Sequence, residues 1–269
     1  MKKNFLTKDL STDSLKLIAI ITMFIDHVPF LFPGANTFEG YYKYPFFIFH
    51  LIGRICAPII FFMIVEGFYR TRSVHKYMLR LLIFTAISYV PYILFFEGPI
   101  AENFLDLNIM WTLFLCVALL QSLHTGKGLF KWIRIIVVSI LIMMTGYNFL
   151  ALALILIFDT FRNDKPKIAC AYFVVIAVYT YMNLPGSIIA PSSMIIFTSA
   201  IRQYLNYLLV LIVGYILPPL FILRYKDPYI PPEKRRKRNF LQRYFFYIFY
   251  PLHICILICI KSLMEHHFS

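Results

Sequence analysis

Charge is what this 269-residue sequence has least of. Only 14% of its residues are Asp, Glu, Lys or Arg, against about 25% in a soluble domain. With 60% hydrophobic residues and a mean hydropathy of +0.73, a globule of this length has too little interior for its apolar side chains. That excludes a soluble enzyme and a disordered chain. Cysteine is scarce as well, and all five (Cys56, Cys116, Cys170, Cys255, Cys259) lie inside apolar runs. Cys255 and Cys259 are simply one helical turn apart, and no pair has the spacing of a zinc or redox site. A disulfide scaffold is excluded and no metal is expected. Acidic residues are half as numerous as basic ones, 13 against 26, for a net charge of +13. In a soluble protein that surplus would point to nucleic acid. Here it reads as loops held on the cytoplasmic side, with membrane lipids and no nucleic acid as partners. The sequence also lacks an internal repeat, a low-complexity tract, a polar stretch long enough to fold alone, and a cleavage site after its first apolar run. A single all-α integral-membrane domain over residues 1–269 is expected.

A bilayer is crossed by roughly 20 mostly apolar residues. Such runs lie near 14–33, 47–68, 78–96, 108–123, 129–146, 148–162, 168–183, 204–223 and 244–264. The fifth and sixth are separated only by Tyr147-Asn148, which predicts a tight helical hairpin. The segment 185–201, broken by Pro185, Gly186 and Pro191, is short for a tenth span. As a full span it would carry Lys234-Arg235-Arg236-Lys237-Arg238 outside, against the positive-inside rule. Read as an external or re-entrant half-segment, it leaves a polytopic helical bundle of about nine transmembrane helices (nine to ten) with a cytoplasmic N-terminus. Lys2, Lys3, Lys8, Arg70, Arg72, Lys76, Arg80, Lys127, Lys131, Arg134, Arg162, Lys165 and Lys167 then lie on the inner side. Glu39, Glu97, Glu102 and Asp106 lie on the outer one.

Ionisable groups inside spans are expensive, about 2.5–3.5 kcal/mol or more at the bilayer centre, so each is a functional candidate. Lys16 and His27 of the first span are eleven residues apart, three helical turns, and share a face with Ile20 and Met23. Asp26 points about 100° away. Arg54 lies about 10 Å below the outer end of the second span, and His27 about 8 Å below the end of its own, at nearly the same depth. Gly53 and Pro58 beside Arg54 allow close helix approach or a kink. An Asp26–Arg54 bridge that only fixes packing is one reading. A neutral imidazole at His27 acting as general base, with Arg54 stabilising developing oxygen charge, is the other. Glu66 and Arg70 are four residues apart and form either an ordinary helix-end pair or, with Arg72, Lys76 and Arg80, the mouth of a site for a polyphosphate ligand. His253, near mid-membrane in the last span, either packs by a hydrogen bond or lines a cavity. His50, His124, His266 and His267 lie at span ends or in the tail, where an interfacial role is expected.

Several of these stretches resemble one family. The run Ser14-Leu15-Lys16-Leu17-Ile18-Ala19-Ile20-Ile21-Thr22-Met23-Phe24-Ile25-Asp26-His27 is similar to the opening of the TraX family of membrane proteins. Gly53-Arg54-Ile55-Cys56-Ala57-Pro58, Glu66-Gly67-Phe68 with Arg70-Thr71, Lys76-Tyr77-Met78-Leu79-Arg80-Leu81 and Ile87-Ser88-Tyr89-Val90-Pro91 continue the match. The closing Phe246-Tyr247-Ile248-Phe249-Tyr250-Pro251-Leu252-His253 completes it. The likeness covers the first ninety residues and the last thirty. It implies a multi-pass protein of the bacterial inner (plasma) membrane, with N-terminal acetylation of conjugative pilin as the family's namesake activity. The family is distantly similar to the membrane acyltransferase-3 superfamily, which modifies surface glycans. By that likeness His27 and Arg54 form the catalytic pair, assisted by Asp26, and acetyl-CoA is the acyl donor. Lys16, Arg70, Arg72, Lys76 and Arg80 would bind its anionic head group. Glu66 and His253 are further candidates. The acceptor would be a pilin or a cell-surface glycan, reached by direct passage of the acyl group through the bundle or through a transient acyl-His27.

A rival reading makes the chain a proton-coupled transporter or flippase in which His27, Asp26, Arg54 and His253 relay protons or bind an anion. No pair of broken helices occupies matching halves of the sequence, which counts against it. A structural scaffold would leave the buried ionisable cluster unexplained.

Overall fold

A computed structural model describes residues 9–32, 46–97, 107–183, 209–210, 212–226 and 240–268. Among them the chain is helical, with one isolated bridge between Leu10 and Tyr225 and no strand. The helices are α1 (Thr12–His27), α2 (Phe46–Gly53), α3 (Cys56–Arg70), α4 (Val74–Tyr92), α5 (Ile109–His124), α6 (Leu129–Met143), α7 (Asn148–Thr160), α8 (Lys165–Met182), α9 (Ile212–Ile222) and α10 (Phe240–Phe268). They fall on the apolar runs of the sequence. The segment 185–201 and the Lys234–Arg238 run lie outside the described residues, as do Lys2, Lys3, Lys8, Glu39, Glu102 and Asp106.

Polar residues mark where the helices begin. Ser11 caps α1 by accepting from Ser14 N–H, Ser73 caps α4 through Lys76 N–H, and Asp164 caps α8 through Lys167 N–H. Asn108 caps α5 and also donates from Nδ2 to the Thr85 carbonyl at 2.9 Å, tying the start of α5 to α4. The α6–α7 hairpin closes through Met144–Tyr147, with Thr145 Oγ1 donating to the Ile142 carbonyl at 2.7 Å.

The second apolar run is interrupted at Arg54-Ile55, which separates α2 from α3. Pro58 has no N–H to give the Arg54 carbonyl, so the ladder breaks one turn before it. Gly53 does the other half of the work. A side chain there would overlap the Asp26 carboxylate, and its absence lets α1 and α2 come together. Gly214 of α9 is equally close to this break, where a Cβ would sit 2.7 Å from Arg54 Cβ.

α3 is the centre of the bundle: ten of its fifteen residues are buried. α1, α5 and α7 pack around it, α4 joins α5 to α10, and α8 covers α7. Ile59, Phe61, Leu113, Cys116, Leu154 and Phe158 are among the closely packed core side chains. Outside, α4, α6, α8 and α10 turn large apolar residues away from the protein, Phe130 being 81% exposed and Val174 62%. A soluble protein does not leave so broad an apolar surface in water. Thr12–Leu31, Phe46–Arg70, Val74–Phe96 and Tyr244–His266 are each long and apolar enough to cross a bilayer. This is a membrane protein.

The described helices run alternately between two ends. One holds the start of α1 and of α8 and the close of α3, α5, α7 and α9, where Leu10 pairs with Tyr225. Its charges make it the basic end. The other holds the close of α1, the short α2 and the π-helical turn Ile93–Glu97 that follows α4. It is the histidine end.

Candidate functional site

At the histidine end three imidazoles and a carboxylate converge from α1, α2 and α10. His253 is 1% exposed, and its Nδ1 lies 2.9 Å from the Phe249 carbonyl. A carbonyl only accepts, so Nδ1 carries the proton and Nε2 keeps its lone pair. That Nε2 is 2.8 Å from His27 Nδ1, with the two rings 15° from parallel. His27 Nδ1 therefore donates, and His27 Nε2 is left as an acceptor. The hydrogen-bonding assigns both tautomers in sequence, from a helix backbone to the outer face of His27. Phe96 meets the His27 ring edge-on at 4.9 Å, and Phe249 stacks on His253 at 4.9 Å.

Asp26 turns to a different partner. Its Oδ1 is 2.9 Å from Nδ1 of His50, which is fully buried, so the imidazole N–H donates to the carboxylate. Arg54 follows His50 by one turn and hydrogen-bonds the Tyr215 side chain of α9, with Tyr147 in the same neighbourhood. The structure thus places His27 with His253 and Asp26 with His50, while Arg54 is held from α9 against Gly214. His50, expected at an interface from its place at a span end, is instead fully buried and joins the cluster. Its signal was available: it lies four residues before Arg54, on the same helical face. Tyr215 carried none, because a tyrosine in an apolar run looks like any other core aromatic.

At the basic end Glu66 pairs with Arg70 at 3.1 Å, as the four-residue spacing predicts. It also accepts from Arg162 at 2.7 Å and from the Tyr225 hydroxyl at 3.3 Å. These groups line a cavity of about 240 Å³ with Asn163, Lys165 and Lys226. Lys165 donates to the carbonyls of Leu223 and Tyr225, each at 2.8 Å. Loss of water and the charge of Lys226 hold its ammonium below the ordinary lysine range. Of the other cations read as ligands of an anionic head group, Lys16 is half-buried in α1, and Arg72 and Lys76 are exposed at the turn into α4. Arg80 lies over the Tyr77 ring and hydrogen-bonds Tyr247. None of those four lines the cavity. Beside it, Tyr69 donates to Asp159 at 2.8 Å, and Asp159 also bonds His124 at 3.0 Å. Among the described residues no three of His, Cys, Asp and Glu converge closely enough to hold a metal ion.

The TraX protein family model matches residues 11–261, the unresembling middle included. The chain belongs to the TraX family. This TraX protein is also similar to a curated protein of Dichelobacter nodosus described as a probable fimbrial assembly protein, FimC, of serogroup H1. The two are 29% identical over 267 residues, covering 96% of this chain and 98% of that protein. No solved structure matches the chain.

Proposed function

We propose that this TraX protein is an integral-membrane acyltransferase, moving an acetyl group from cytoplasmic acetyl-CoA to an acceptor beyond the bacterial inner membrane. In this reading the chain crosses the membrane nine times with its N-terminus inside. The basic end faces the cytoplasm, as the positive-inside rule asks, and the histidine end faces outward.

The observation that carries the proposal is the bonded sequence from the Phe249 carbonyl through His253 to His27, which leaves a lone pair on His27 Nε2. His27 Nε2 takes the proton from the acceptor amine or hydroxyl as that atom attacks the acetyl carbonyl. Arg54, positioned by Tyr215, supplies positive charge for the carbonyl oxygen as it becomes negative. His27 then returns the proton to the departing sulfur and is neutral again. His253 is a positioning residue here, since it acts through His27. Asp26 and His50 fix the join of α1 and α2 on which both reacting side chains stand. Acetyl-CoA, when bound, would supply the acetyl thioester, and Lys16 and His27 on one face of α1 would meet its pantetheine arm. Its anionic head suits the cations of the basic end, Arg70 first among them. The cavity of about 240 Å³ there fits a phosphate group and not the whole nucleotide. The description of the Dichelobacter relative as a fimbrial assembly protein favours a pilin N-terminus over a surface glycan as acceptor.

The test is transfer of labelled acetyl from acetyl-CoA to a pilin N-terminal peptide by the purified protein. His27→Ala should lower it by at least about a hundredfold with expression and topology intact, and transfer at the wild-type rate would remove this mechanism. Gradient-driven uptake without thioester cleavage would instead establish the transporter.

A further inference from the structure

We propose that the cavity at the basic end is a phosphate-binding site, built by Arg70, Arg162 and Lys165 around the carboxylate of Glu66. Its ligand is a phosphate ester or diphosphate, which either a soluble nucleotide-like donor or an anionic phospholipid head group carries. The site deepens the acyltransferase reading and rests on it only for the source of that phosphate.

The charge balance argues first. One carboxylate, 10% exposed, holds two guanidiniums side by side. Lys165 is a third cation on the same cavity, and Lys226 a fourth that is shared with Asp9 at 3.1 Å. A pair made only for packing needs one cation for one anion. Here the cations outnumber the carboxylate lining the cavity, and the crowding is what a dianion would relieve.

Donor geometry argues second. Arg162 gives Nε and Nη2 to Glu66 and lies flat over the Tyr69 ring, 4.3 Å from its centroid. Its guanidinium is fixed in place while part of its five-donor fork remains for a ligand. Lys165 is fixed by two carbonyls and has a third N–H. Neither side chain has to be ordered when an anion arrives, which favours binding. Lys165 is also the first residue of α8, eighteen residues long, whose N-terminus is capped by the Asp164 carboxylate, so the cations and not the helix dipole supply the positive charge here. Phe62, Ile168 and Ile222 add apolar side chains to the cavity lining, which strengthens charge–charge attraction.

The experiment uses the full chain purified in detergent, with inorganic pyrophosphate as probe and binding read by titration calorimetry. Arg162→Gln and Lys165→Gln should each weaken binding by about tenfold or more, and Arg162→Lys by less, since it keeps the charge and loses the fork. Lys165→Gln leaves the Glu66 pairs in place, so it decides the matter if Arg162→Gln does not fold. Competition with free CoA then identifies a soluble source, and retention of phosphatidylglycerol over phosphatidylcholine in native mass spectra identifies a lipid head group. No pyrophosphate binding, or equal affinity in wild type and both Gln variants, overturns the site. Pyrophosphate binding by a protein that transfers no acetyl would leave the site standing and remove the enzyme. Acetyl transfer without phosphate binding would do the reverse.

Discussion

At the histidine end His253 is bonded to the Phe249 carbonyl and to His27, and Asp26 to His50. At the basic end Arg70, Arg162 and Lys165 crowd a single carboxylate. The two ends differ in what their side chains meet. His50 and His253 are fully buried and each is held by a specific donor–acceptor contact, which a group without water needs. Arg70 and Arg162 keep 20% and 28% of their side-chain surface, and partial access to water lets them tolerate surplus charge. In the proposed acyltransferase, proton transfer falls to the first arrangement and anion binding to the second, at opposite ends of the bundle.

The largest expected effect tests that division. His27→Ala should lower turnover by roughly 10²–10⁴-fold, the usual contribution of a general base. Lys165→Gln should raise KM for acetyl-CoA with kcat kept. If both variants fell in kcat alike, the separation of ends would be broken. His253→Ala is expected to lose about tenfold in turnover and to shift the pH profile of kcat, because His27 Nδ1 loses its acceptor. His253→Asn offers an amide oxygen in that place and should recover part of the rate. A merely structural histidine would leave the pH profile where it was.

Packing at the two ends gives the next pair. Gly53→Ala puts a methyl group into the Asp26 carboxylate, and thermal unfolding should show a loss of about 2–3 kcal/mol, the upper range for overpacking. Glu66→Gln leaves the guanidiniums without their counter-charge. The loss should be about 2 kcal/mol, short of the roughly 3–5 kcal/mol of a fully buried pair, because Arg162 keeps 28% of its side-chain surface. The same variant should tighten pyrophosphate binding. Weaker binding would mean that Glu66 orders the site more than it repels the ligand.

Hydropathy made the fold legible almost throughout, since each apolar run of the sequence became a helix where the structure describes it. The Tyr147-Asn148 hairpin and the Gly53-to-Pro58 break were readable too, because both rest on local backbone rules. The candidate site was half legible. Spacing within one helix gave Lys16 with His27 and Glu66 with Arg70, but it says nothing of which helix lies opposite. Arg162 and Lys165 looked like topology signals until α8 was seen to start beside the end of α3. His253 could be recognised as buried and polar, yet only the contact between α1 and α10 makes it the acceptor for His27. His27 and Arg54, placed together by depth alone, have His253 and Tyr215 as partners and Asp26 has His50, which pairwise reasoning over two helices could not supply.

The smallest effect concerns Asp164, which sits next to Lys165 in sequence and opens α8. Its carboxylate accepts from Lys167 N–H at 3.1 Å and pairs with Lys167 Nζ at 2.8 Å. The bond to Lys167 holds its carboxyl below the ordinary value of 3.8, so the folded protein binds a proton there less readily than the unfolded chain. The stabilisation is therefore complete above that ordinary value and is lost as pH falls through the lower folded one. Asp164→Ala should melt below wild type by less than Glu66→Gln does, with a gap constant from neutral pH down to about pH 5 and narrowing below about pH 4. Asp164→Asn keeps an N-cap acceptor and should recover most of the gap at neutral pH. Pyrophosphate should bind both variants as well as wild type or slightly better, since an anion next to the site has gone. Weaker binding would move Asp164 from the scaffold of α8 into the site, and the basic end would no longer be organised by Glu66 alone.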